Sequence, residues 1–182
     1  MKVVVFLRER KQGAGQFGAW IGTDGTVTPF AGQNCLTDGA WFFPAFTSLA
    51  ASDPNIALTY VGTEQRSGVG VYHLRSYRNA SALSAQFSPA SAIAQLTQLS
   101  TTDIYLDGQT FLPVALTFNA HPDKNALVNI PVEIDFSNYQ TMNGILVPKH
   151  VQKYYQGVLL LDFQITNVAV NTGIPSSNFS IQ

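Results

Sequence analysis

The sequence predicts a mainly β chain of α+β class, built on a curved antiparallel sheet. Three observations carry this. Turn dipeptides recur at Asp107-Gly108, Asn143-Gly144 and Gln156-Gly157. The segments between and beside them, DIYLD, QTFLPVALTFNA, NIPVEIDFSNY, ILVPKHVQKYY and VLLLDFQITNVAVN, are rich in β-branched and aromatic residues, which suit a pleated, half-buried surface. Helix-period spacing appears only in two stretches, near residues 37–52 and 88–100.

The elements follow in order. Residues 1–30 read as two or three strands, with Thr23-Asp24-Gly25 supplying the positive φ of a tight turn between Gly18–Gly22 and Thr26–Phe30. The block from Asn34 to Leu49 reads as a helix with Thr37 or Asp38 as its N-cap. Pro44 predicts a kink or break inside it, and Ser52-Asp53-Pro54 a stop. Ile56–Gly62 and Val69–Arg78 form a hairpin around Arg66-Ser67-Gly68. A Ser/Ala-rich connector leads to a second helix, for which Ser88 is the N-cap, Pro89 suits the first turn and Ile93, Leu96 and Leu99 form the apolar stripe. The hairpin strands from residue 102 onward complete the sheet.

A chain of 182 residues suits one domain, 1–182, able to bury roughly 70% of its extended surface without disulfides. Charged residues make up only 12%, with ten basic against eleven acidic, so there is no basic footprint for nucleic acid. Cys35 is alone and cannot form an internal disulfide or a thiolate metal cage. No apolar run reaches the ~20 residues of a membrane span, and Met1–Leu7 stops at Arg8-Glu9-Arg10-Lys11 before a signal-like core forms.

A two-residue turn at Asn143-Gly144 pairs Met142 with Ile145. It therefore sets Ser137 opposite His150, Asp135 opposite Gln152 and Glu133 opposite Tyr154 on one face. A histidine between two carboxylates is a candidate general base for water, so His150, Asp135 and Glu133 are the candidate catalytic residues, with Ca²⁺ as the cofactor if a cation assists. The plainer reading is a solvated strand face, since no recognisable triad is present. The next turn pairs Tyr155 with Val158, which sets Asp162 opposite Val151 and diagonal to Lys149 and Lys153 as a surface charge cluster. Asn119–Asn125 has several oxygen donors but lacks the ligand spacing of an EF-hand and reads as a turn.

The segment from DIYLDGQTFLPVALTFNA through NIPVEIDFSNYQTMNGILVPKHVQKYYQGVLLLDFQITNVAVNTGIPSSNFSI resembles the C-terminal portion of LolA-like proteins, the periplasmic lipoprotein carriers and their bacterial relatives. The features that match are Asp107 before Leu112-Pro113, the Phe136-Ser137-Asn138-Tyr139 to Asn143-Gly144 hairpin, Val147-Pro148, and the closing Asn171 to Asn178-Phe179 element, over about residues 56–182. The resemblance implies an open, incompletely closed antiparallel β-barrel whose apolar concave face is plugged by short helices and holds acyl chains. It also implies a periplasmic or exported protein, with a signal and a leading helix expected ahead of the first strands. On that frame Trp41, Phe42, Phe43 and Phe46 are the candidate ligand-binding residues, or else rings that simply fill the core. The expected function is binding of a hydrophobic small molecule or acyl chain. The alternative is hydrolysis of small amphiphilic esters or lactones such as acyl lactones.

Overall fold

The structure, a computed structural model, describes residues 19–21, 24–29, 32–37, 53–79, 90–169, 172–173 and 175. Its elements are β1 (Ala19–Ile21), β2 (Val27–Pro29), a short 3₁₀ helix (Gly32–Leu36), β3 (Ile56–Arg66), β4 (Val69–Arg78), α1 (Ala90–Ser100), β5 (Thr102–Asp107), β6 (Pro113–Ala120), β7 (Ile130–Met142), β8 (Ile145–Tyr155) and β9 (Val158–Gln164). β1 and β2 make a small hairpin. Strands β3 to β9 form one antiparallel sheet in strict sequence order. Its edges, β3 and β9, do not pair with each other, so the sheet is open.

Local chemistry explains this meander. Ser67-Gly68, Asn143-Gly144 and Gln156-Gly157 all carry positive φ at both positions, the geometry of two-residue turns whose twist matches that of the flanking strands. The β5–β6 connection is a longer loop, 108–112. There the Asp107 carboxylate accepts hydrogen bonds from the backbone N–H of Gln109 (3.0 Å) and Thr110 (2.7 Å). The second predicted helix is α1. The expected first helix lies almost wholly outside the described residues, and the 3₁₀ turn just before it was not anticipated.

Three bulges adjust the alternation of faces. The register shifts by one residue at Val61 in β3, Val114 in β6 and Leu160 in β9, each leaving one residue without an opposite number. With these in place one face is apolar. Ile104, Leu116, Phe118, Ala120, Val132, Ile134, Phe136 and Val151 are buried there, with Leu74, Leu161 and Phe163 packed beside them. Lys153 is buried on this face too, its ammonium 5.3 Å from the centre of the Tyr155 ring.

The helical segments are tied to the ends of the sheet strands, where Leu36 and Ser100 border a cavity with Ile104 and Leu116 of the apolar face. Ser100 ties α1 to β4 by accepting a hydrogen bond from the Arg78 backbone N–H (2.9 Å) while its hydroxyl donates to the Leu96 carbonyl (2.7 Å). Asn34 ties the 3₁₀ turn to the end of β6. Its amide donates to the His121 carbonyl and its oxygen accepts from the His121 N–H, both at 2.8 Å. The Asn119–Asn125 stretch is therefore an anchoring turn, and His121 within it is buried with Nδ1 3.0 Å from the Val128 carbonyl.

One expectation is overturned. Asp162 does not face Val151, Lys149 and Lys153: the bulge at Leu160 moves it opposite Gln152, onto the other face. The physical reason is the run Val158-Leu159-Leu160-Leu161, which cannot alternate. One extra residue restores alternation, placing Leu161 and Phe163 with the core and Asp162 with the polar residues.

Candidate functional site

The polar face carries three groups of titratable side chains. On β7 and β8 the predicted register holds: Ser137 pairs with His150, Asp135 with Gln152 and Glu133 with Tyr154. His150, however, does not turn toward the two carboxylates. Its Nε2 lies 2.9 Å from Asp162 Oδ1, its Nδ1 is 3.4 Å from Ser137 Oγ, and the Gln152 amide donates to the other Asp162 oxygen at 2.9 Å. The result is a Ser137–His150–Asp162 line across three adjacent strands.

Glu133 instead takes Arg66 as its partner. Arg66 sits at the tip of the β3–β4 hairpin, four strands from β7 and thus some 19 Å away across a flat sheet. The contact requires the sheet to coil so that this hairpin arches over the polar face, and the Arg66 guanidinium lies 4.0 Å above the Tyr105 ring. Burial, then the charge and hydrogen bond of Glu133, push the Asp135 carboxyl up to about 6, with Arg66 opposing.

The third group joins His73 Nε2 to Asp103 (2.9 Å), with Glu64 3.4 Å from Nδ1, and Arg75 forks onto both Asp103 oxygens at 2.7 and 3.1 Å. Burial raises the Asp103 carboxyl, but the hydrogen bonds from Arg75 and His73 outweigh it and hold the group below its ordinary value. Beside this group a groove of about 220 Å³ is lined by Asp103, Thr117, Asn119 and Glu133. Among the described residues no cluster of three or more His, Cys, Asp and Glu side chains is arranged to hold a metal ion.

The apolar face offers a different kind of site. Along α1 only Ser100 is buried, and the stripe Ile93, Leu96 and Leu99 is half-covered. At the root of the helix an apolar cavity of about 90 Å³ lies between Leu36, Ile56, Tyr77, Ile104 and Leu116, with Thr37, Ser76, Arg78, Ser100 and Thr102 as its polar members. Trp41, Phe42, Phe43 and Phe46, the rings singled out for ligand contact, lie outside the described residues.

Sequence reasoning missed Arg66, Asp162, Thr37 and Arg78. For Asp162 a signal existed in the four-residue apolar run, which is too long for simple alternation. For Arg66 none did, because nothing local reports a contact across four strands.

No family model matches the sequence, and no curated protein matches it significantly. Three solved structures are similar to it. One is a domain from Vibrio parahaemolyticus named for outer membrane lipoprotein sorting, with a TM-score of 0.48 and 13% identity over 92% of this chain. Another is a DUF1329 family protein from Desulfovibrio piger, at 0.46 and 14% over 87%. The third is a LolA superfamily protein from Nitrosomonas europaea, at 0.37 and 10% over 70%. The chain spans 64%, 60% and 50% of the lengths of these structures. No helix among the described residues is long and apolar enough to cross a membrane.

Proposed function

We propose that the protein binds a hydrophobic or amphiphilic ligand, an acyl chain or lipid-like molecule, along the apolar face beneath α1. One observation carries this reading: the C-terminal end of a helix that bears a partly buried apolar stripe meets the sheet where Ile104 and Leu116 are buried, and a cavity remains there. Apolar surface left uncovered in this way is a favourable place for a hydrocarbon chain, at roughly 25 cal/mol per Å² removed from water. The proposal includes a periplasmic or exported location, in keeping with the lipoprotein sorting for which the Vibrio neighbour is named.

An environment-sensitive fatty-acid probe tests it. Wild-type protein should bind the probe at micromolar concentration with a blue shift, and Leu96→Glu should abolish binding while leaving the far-UV circular dichroism spectrum unchanged. Absence of binding by the wild type would refute the reading.

A second reading, hydrolysis of small amphiphilic esters or acyl lactones, is favoured by the Ser137–His150–Asp162 line. In it the Ser137 oxygen attacks the ester carbonyl and passes its proton to His150 Nδ1. His150, oriented by Asp162, returns that proton to the leaving alcohol, and water then hydrolyses the acyl-serine by the same path. Without the serine, His150 would activate water directly. Turnover of a panel of esters and acyl lactones, with and without Ca²⁺, tests this second reading. Turnover suppressed in Ser137→Ala and His150→Ala would support it, and an inert wild type would remove it.

A further inference from the structure

The cavity at the root of α1 is lined by both apolar and polar side chains, and one of its polar groups has no partner. Thr37 is only 4% exposed, yet its hydroxyl makes no hydrogen bond, an unfavourable state for a buried polar group unless something else fills the role. Among the other hydroxyls that line it, that of Ser100 is spoken for, since Ser100 donates to Leu96 and accepts from the Arg78 backbone. Arg78, half-buried, also lines the cavity. Among the described residues its side chain is not tied into an ion pair as Arg66 and Arg75 are, and Asp53 is the carboxylate that feels its charge. An idle buried donor, and a cation with no ion pair among the described residues, beside Leu36, Ile56 and Ile104 suit one class of molecule: an acyl chain with a small anionic head.

We infer that this cavity is the head-group end of the ligand site, where Thr37 and Arg78 recognise a carboxylate or phosphate and the hydrocarbon runs out along the apolar face. The inference rests on the amphiphile-binding reading and deepens it by naming the ligand's charge. A volume of about 90 Å³ suits a head and its first carbons and not a whole chain, which agrees with a tail lying under the half-covered stripe of α1.

Calorimetric titration below the micelle concentration separates the possibilities, using dodecanoate, dodecyl phosphate, dodecanol and dodecyltrimethylammonium on the full chain. At least one anionic ligand should bind about tenfold tighter than dodecanol, as expected of a charge-assisted hydrogen bond. Which of the two anions binds more tightly tells a fatty-acid head from a phosphate head. Arg78→Gln should erase the advantage of the anion over dodecanol, Arg78→Lys should keep part of it, and Thr37→Val should weaken anion binding several-fold where Thr37→Ser does not. Equal binding of all four ligands would overturn the head-group assignment and leave the apolar site standing. Binding of none would overturn the amphiphile reading itself. Should Arg78→Gln fail to fold, the Thr37→Val and Thr37→Ser pair decides the matter alone.

Discussion

Burial and Glu133 push the Asp135 carboxyl to about 6, from an ordinary 3.8, so the folded protein holds a proton there across a window in which the unfolded chain has lost it. The contribution to stability is therefore complete below pH 3.8 and is lost as pH rises through 6. Because the group is only partly buried and is screened by solvent, the loss should be on the order of 1 kcal/mol. Denaturation midpoints between pH 4 and 6 should fall in the wild type, and Asp135→Asn should flatten that slope. Arg66 works in the opposite sense, so Arg66→Gln should raise the Asp135 midpoint further in an NMR titration. The carboxyls of Asp103 and Asp107 are held below 3.8 and act at lower pH, outside this window.

At the scale of elements the turns and bulges decide which side chains share a face. Gly157 has φ +77 with open space around it, so Gly157→Ala pays only for the left-handed backbone, about 1 kcal/mol. Gly108 differs. A Cβ there would stand 2.8 Å from the Gly70 carbonyl oxygen, the atom that accepts its own N–H at 2.9 Å, so Gly108→Ala must push backbone apart. Chemical denaturation should show the larger loss, about 1–3 kcal/mol, for Gly108→Ala. The β5–β6 loop it anchors also holds Phe111 at φ +58, 62% exposed and stacked on Tyr72 with ring centres 5.6 Å apart.

For the molecule as a whole, stability rests on the apolar face. Ile134 is fully buried at the centre of that face, so Ile134→Ala should cost about 2–5 kcal/mol with the far-UV spectrum still dominated by β signal. A helix-dominated spectrum of the wild type would contradict the architecture. Ligand binding to the same face would add to stability by mass action. The Ile134→Ala midpoint should therefore recover toward that of the wild type as dodecanoate is raised, read by thermal denaturation.

The hairpins from residue 102 onward, α1, and the opposition of Ser137 to His150 and Asp135 to Gln152 were all legible in the sequence. Each depends on turn chemistry or periodicity within a few residues, and short-range sterics are written directly into residue type. The pairing of His150 with Asp162 was not legible, because a single bulged leucine exchanges the two faces of β9 and only packing against Phe136 and Val151 selects that register. Arg66 meeting Glu133, and Thr37 meeting Arg78 around one cavity, were decided by tertiary structure alone. Such contacts depend on the coiling of seven strands and the seating of a helix on them, which are sums over the whole chain and not properties of any segment of it.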